Sequence, residues 1–174
     1  MIKEPADIYS IWLTPSPEDR AYLANIIQSL SEEYDSPVFA PHCTLYGRVT
    51  KPLDILVPIV EAAALGMAGF RVEASRLHYA DIIWKTVFIE LKMNFPLETL
   101  YQRLSTSLSG AFPYRFEPHI SLIYKKLKPE VKRSIIRGLT VKDMYEMVRI
   151  EIVRTGQRIE NWTSVYRINL KNQE

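Results

Sequence analysis

At 174 residues the chain has the length of one domain and enough residues to bury a sizeable core. With 47% hydrophobic and 24% charged residues it reads as an ordinary soluble globular protein, and a formal net charge of +2 is too small for a duplex-binding footprint. The single cysteine, Cys43, excludes an internal disulfide and a cysteine-based zinc cluster. No apolar run approaches the roughly 18 residues of a membrane span, and Met1-Ile2-Lys3-Glu4-Pro5 does not read as a signal peptide, so the expected location is cytoplasmic.

In chain order, residues 8–13 read as a first strand, rich in β-branched and aromatic residues and stopped by Thr14-Pro15. Ser16-Pro17-Glu18-Asp19 starts a helix, with a hydroxyl at the cap, proline at the first position and acids in the first turn. Its stripe of Leu23, Ile26, Ile27, Leu30 and Tyr34 ends at Asp35-Ser36-Pro37. A short strand closed by Gly47 follows, then a helix over 52–65 with Pro58 as an uncomfortable interior residue. Residues 70–79 and 82–92 read as two strands joined in a hairpin around Ala80-Asp81. Pro96 opens a third helix with apolar positions Leu97, Leu100, Tyr101, Leu104 and Leu108, and residues 110–118 form a loop. A fourth helix starts at Lys128-Pro129-Glu130 and ends near Gly138. Strands over 145–154 and 163–170 close the chain, separated by the turn-like Thr155-Gly156-Gln157.

Two stretches echo each other: Pro41-His42-Cys43-Thr44-Leu45-Tyr46 and Pro118-His119-Ile120-Ser121-Leu122-Ile123-Tyr124. On an extended strand the histidine and the hydroxyl two residues later share one face, roughly 7 Å apart, while Cys43, Leu45, Ile120 and Leu122 point to the other. One such pair is commonplace; two copies in a chain with three histidines are not. The surroundings repeat as well. Ile8 precedes His42 by 34 residues and Val87 precedes His119 by 32; each histidine is ten residues before a helix-starting proline, Pro52 or Pro129; and the next strand begins about 28 residues after each histidine. Strand, helix, motif strand, helix, strand is laid down twice, so the expected organisation is a single domain over 1–174 built of two α/β repeat halves, near 1–80 and 81–174.

Two halves related by an approximate two-fold bring both imidazoles into one cleft. Histidine titrates near pH 6.5, so one ring can be neutral while the other is protonated, as general base and general acid require. Thr44 and Ser121 add hydroxyl donors suited to the non-bridging oxygens of a phosphoryl group, and such donors supply charge stabilisation without a metal. The chain here resembles the 2H phosphoesterases. The aromatic first strand Tyr9-Ser10-Ile11-Trp12 and the run His119 to Tyr124 are most similar to the cyclic phosphodiesterases known from plants.

The resemblance covers essentially the whole chain. It implies a bilobal α+β fold with two antiparallel sheets lining a central cleft and helices on the outer faces. It also implies metal-independent opening of ADP-ribose 1″,2″-cyclic phosphate or of nucleoside 2′,3′-cyclic phosphates by a monomer, with no cofactor, no membrane and no stable nucleic-acid partner. The chain departs from some plant members in lacking the extra cysteines that they pair as disulfides. The expected mechanism is in-line attack by water with His42 and His119 as the acid–base pair. His119 is set as base and His42 as acid, although the near-symmetry leaves the roles interchangeable. Thr44 and Ser121 would hold the equatorial oxygens, and Trp12 would offer a base or ribose an aromatic face. The resemblance also puts Tyr124 at the substrate, which requires its strand to end, twist or bulge just before it; Tyr46 divides between site wall and packing. His78 reads as structural, Trp84 and Trp162 as core or rim, Lys125-Lys126-Lys128 as a solvated loop, and Cys43 as a buried inert thiol. Two other readings stay open: action on RNA ends or 2′-5′ linkages, and a module that binds cyclic phosphates or RNA ends without turnover.

Overall fold

A computed structural model describes residues 7–109, 114–156 and 158–171. The elements run β1 (Tyr9–Pro15), α1 (Pro17–Tyr34), β2 (Cys43–Val49), α2 (Leu53–Ala64), β3 (Phe70–Tyr79), β4 (Val87–Leu91), α3 (Phe95–Leu108), β5 (His119–Ile123), α4 (Pro129–Gly138), β6 (Met144–Arg154) and β7 (Thr163–Asn169), with short 3-10 turns at Ile83–Lys85 and Ile159–Asn161. Local chemistry sets the helix ends. Ser16 Oγ accepts the Asp19 N–H at the start of α1, and Asn94 Oδ1 accepts the Leu97 N–H at the start of α3. Asp35 ends α1 in a left-handed conformation, φ 52°, and its own N–H bonds Ser31 O. α2 runs through Pro58, which lies on its solvent side.

The chain differs from its sequence-based reading at two strands. β2 continues past Gly47 to Val49, with Arg48 in the left-handed region at φ 58°. The expected strand over 82–92 is shortened to β4, because the Thr86 hydroxyl donates to the carbonyls of Ile83 and Lys125 and so closes the 3-10 turn ahead of it. Of the expected loop over 110–118, residues 110–113 lie outside the described residues, as does Gln157 of the turn after β6.

All strand pairs are antiparallel, and they form one seven-stranded path, β2-β1-β6-β3-β4-β5, with β7 on β6. The two expected sheets are joined within β3, whose Phe70–Glu73 pair with β6 while Ala74–Tyr79 pair with β4. Each side of the path takes its third strand from the other half of the chain: β6 lies beside β1, and β3 beside β4. The helices cross over in the same way, α1 packing on β5 and α3 on β2. The path curls until its two end strands, β2 and β5, meet. Burial of Leu13, Leu45, Ile120, Ile150, Leu23 and Leu100 fixes this closure, since each has essentially no exposed surface. Among the described residues no helix is long and apolar enough to cross a membrane.

Candidate active site

His42 immediately precedes β2 and His119 opens β5, so the meeting of those strands brings the two motifs together. The Cys43 thiol lies against the His119 backbone, and charge on His119 opposes protonation of His42. Each imidazole is held in the same way: His42 Nδ1–H donates to Ala40 O at 2.7 Å, and His119 Nδ1–H to Glu117 O at 2.6 Å. A carbonyl only accepts, so Nδ1 carries the proton in both rings and Nε2 is left as the atom that can take or give one.

The residues behind the histidines repeat too. Trp12 pairs across the strands with Thr44, and Phe88 with Ser121. The Trp12 ring stacks on His42 at 3.5 Å and 4°, while the Phe88 ring meets His119 edge-on at 5.5 Å and 71°. Trp12 therefore departs from its sequence-based role. It is only 5% exposed, one face is covered by His42, and Trp162 packs edge-on against it at 5.6 Å, so it has no open face for a base or ribose. Its effect is on the histidine that it covers. Phe88 was not singled out from the sequence, although the repeat marks it: Trp12 is 30 residues before His42, and Phe88 is 31 before His119.

Tyr124 lies just beyond the end of β5, and the β4–β5 pairing shifts register between Val87↔Ile123 and Phe88↔Ser121. The strand both bulges and ends before it, yet Tyr124 stays buried in the core, only 5% exposed, so the structure does not bring it to an open site as the resemblance implied. Its ring stacks on Phe39 at 3.9 Å and touches Trp84 and Trp162 at 5.4 and 5.8 Å. Trp84, within the first 3-10 turn, and Trp162, just after the second, approach to 5.9 Å and form an aromatic rim. Tyr46 goes to packing: a register shift in the β1–β2 pairing turns it inward, where its hydroxyl donates to Leu108 O.

The two motif hydroxyls differ. Thr44 is half-buried, and its side chain has no hydrogen-bond partner among the described residues. Ser121 is buried, and its proton is given to Trp84 O at 2.7 Å. Lys85, from the same turn as Trp84, pairs with Glu117, lies 5.5 Å from the Phe88 ring centroid, and its charge opposes protonation of His119. No sequence pattern marks Lys85; it follows from where the turn before β4 falls. His78 meets Phe88 at 5.7 Å without reaching either motif histidine, and Lys125 donates to the Tyr34 and Asp35 carbonyls that end α1.

Burial dominates the titration of the pair. His42 is pushed down to about 3, first by desolvation, against the Ala40 carbonyl, with the His119 charge adding to the depression. His119 is lowered in the same direction, by burial first and then by Lys85, with Glu117 opposing. Burial pushes the Cys43 thiol up to about 12, which leaves it a neutral thiol. A histidine with a folded pKa below its unfolded value contributes stability that is complete above pH 6.5 and lost as pH falls toward the folded pKa. For His42 the window is pH 6.5 to about 3, worth on the order of 5 kcal/mol across its full width. Urea midpoints at pH 7 and pH 4 should therefore fall further for the wild type than for His42→Phe, which keeps a ring against Trp12. Equal falls would refute the buried neutral imidazole.

A family model described as cyclic phosphodiesterase-like protein matches residues 8–170. The chain is 21% identical to a cyclic phosphodiesterase of Arabidopsis thaliana, across 94% of this chain and 96% of that one. Among solved structures, E. coli LigT complexed with 3′-AMP superposes with a TM-score of 0.64 at 15% identity, covering 95% of this chain and 99% of LigT. TT0787 of Thermus thermophilus superposes with a TM-score of 0.68 at 14% identity, covering 96% and 100%. At these identities the structural likeness is one of fold.

Proposed function

Because the chain belongs to the cyclic phosphodiesterase-like family of 2H phosphoesterases and is a phosphodiester hydrolase, we propose that it opens a small ribosyl cyclic phosphate by paired-imidazole acid–base catalysis without a metal. The substrates that fit are ADP-ribose 1″,2″-cyclic phosphate and nucleoside 2′,3′-cyclic phosphates. The observation that carries this reading is the matched pair of backbone-anchored histidines, each with Nδ1 protonated and Nε2 free, close enough to feel each other's charge. LigT, which shares the fold, holds the mononucleotide 3′-AMP, and a ligand of that size suits a rim built from Trp84 and Trp162.

The environments of the two rings favour roles in the reverse of the order set from the sequence. His42 is the more buried and the harder to charge, so it enters the reaction neutral and is the base. Its Nε2 takes a proton from water as the water oxygen bonds to phosphorus. His119 is the acid: its Nε2–H passes a proton to the ribose oxygen as the P–O bond breaks, leaving a phosphomonoester and a free hydroxyl. The negative charge of the bound phosphate raises the pKa of both rings and most helps the protonated one. Thr44 donates to an equatorial oxygen, and Lys85 balances the charge from the His119 side. Ser121 donates to the phosphate only by giving up its bond to Trp84 O.

The test is to incubate the purified protein, with chelator present, with adenosine 2′,3′-cyclic phosphate and with ADP-ribose 1″,2″-cyclic phosphate. Conversion of at least one to a phosphomonoester is expected. An absolute requirement for an added divalent metal, or turnover of RNA 2′-5′ linkages alone, would refute the reading.

A further inference from the structure

The turn that carries Trp84 and Lys85 is not held by packing. Ile82, Ile83 and Trp84 are consecutive large apolar side chains, 58%, 45% and 46% exposed, so burial does little to fix where the loop between β3 and β4 sits. Polar ties place it instead. The Ala80 N–H donates to Lys85 O at 2.9 Å and closes the loop on itself, and the Lys85 N–H donates to Ile82 O at 2.8 Å. Where the loop runs into β4, the Thr86 hydroxyl holds Ile83 O and Lys125 O. Where it leaves β3, the tie comes from outside the cleft, from Lys132 in the first turns of α4.

Among the described residues Lys132 is the only buried lysine, 3% exposed. Its Nζ donates to Ala80 O at 2.7 Å and to Asp81 Oδ1 at 2.8 Å, and lies 5.7 Å from the Tyr79 ring centroid. These three partners are consecutive residues at the start of the loop. The Asp81 carboxylate is itself exposed, so a buried ammonium reaches out to fix a surface loop. Burying an ammonium is costly, and an apolar side chain of similar volume commonly serves stability as well or better. Stability therefore gives no reason for a lysine here, and the loop does.

The other side of that loop faces the chemistry. Trp84 O accepts the Ser121 hydroxyl at 2.7 Å, and Lys85 pairs with Glu117, whose carbonyl takes the Nδ1–H of His119. The Ser121 tie is given up when that hydroxyl turns to the phosphate, so the loop has to be held from its far side during the reaction. We propose that Lys132 is a positioning residue, pinning the 80–85 loop from α4 so that Lys85 stays at His119 and the Trp84 carbonyl stays at Ser121. This rests on the hydrolase reading above and adds to its machinery a residue outside the cleft.

The experiment replaces Lys132 by Met, which keeps the length of the side chain and loses both ties. Misplacing a positioned group by about 1 Å can cost 10²-fold, so kcat for adenosine 2′,3′-cyclic phosphate should fall by roughly ten- to hundred-fold, with little change in KM or in the urea midpoint. A second readout needs no turnover. Lys85 and Glu117 are the charges that act on His119, and Lys85 lowers its pKa. With the loop released, proton NMR should show His119 titrating at higher pH than in the wild type. Loss of the Lys132 charge would also raise a histidine pKa through space, so the comparison is repeated in Lys85→Met. A through-space effect persists in that background. A positioning effect disappears, and Lys85→Met/Lys132→Met titrates as Lys85→Met does. An unshifted His119 in Lys132→Met, or an equal shift in both backgrounds, would overturn the proposal. Should Lys132→Met fail to fold, Asp81→Asn decides, because it removes one tie at an exposed side chain. Loss of a carboxylate alone lowers a histidine pKa, so a rise there comes from the loop, and no rise rejects the role. The titrations keep the two readings apart. A Lys85-dependent rise supports the positioning role even if no cyclic phosphate is hydrolysed, and its absence rejects the role even if one is.

Discussion

Alanine at His42 or at His119 is expected to lower kcat by roughly 10²–10⁴-fold, with far smaller changes in KM, because each ring moves a proton that is in flight only at the transition state. The fold should survive. Neither ring supplies a packing stripe, and each makes a single side-chain bond, to a carbonyl two residues upstream. The two variants should part company on a diester whose leaving group is already acidic, such as a p-nitrophenyl phosphodiester. A phenolate of that kind departs without protonation, so His119→Ala should recover much of its lost rate relative to wild type and His42→Ala should recover none. Recovery in His42→Ala alone would exchange the acid and base roles. Retention of near-wild-type rate on every substrate by either variant would remove the pair from the mechanism.

Much of this site was legible because its parts are periodic. Histidine and hydroxyl two residues apart on a strand share a face, and the doubled pattern with matched spacing to the next helix pointed to a matched pair of motifs. What could not be read was how the halves interlock. Nothing in the run from Phe70 to Tyr79 says that one strand will pair with β6 over its first four residues and with β4 thereafter. That crossing curls the path until β2 and β5 meet. Trp12 illustrates a second limit. Its place on the strand next to the motif suggested an aromatic face for a base or ribose, but the His42 imidazole stacks on that face instead. Tyr46 and Tyr124 mark a third. Both lie beside one-residue register shifts and both end in the core, which settles Tyr46 as packing and leaves Tyr124 away from the open site that the resemblance implied. Lys85 carried no local signal, since a charged residue on a turn usually faces solvent; its place beside His119 follows from where the turn before β4 falls.

Trp12→Ala is the second change with a large expected effect, and it separates packing from proton chemistry. Removing a buried tryptophan costs about 3–5 kcal/mol through lost burial and the cavity left behind. Here the cavity also admits water to His42. Desolvation is the leading cause of that ring's depressed pKa, so hydration should carry it from about 3 back toward 6.5. A general base works only when neutral, and the acidic limb of the rate profile therefore moves up in pH. For the variant, the rate at pH 5 divided by the rate at pH 7 should be roughly tenfold or more below the wild-type ratio. Loss of the π face acts the other way, because a protonated imidazole stacked on indole gains cation–π energy, but that gain is smaller than the cost of burying the charge. Trp12→Phe keeps an aromatic plane over the ring and should hold the limb near its wild-type position with a smaller loss of stability. If Trp12→Ala loses stability while its pH profile superposes on the wild type, the indole is packing alone, and the shielding of His42 must come from Phe39 and Trp162, the other rings around it.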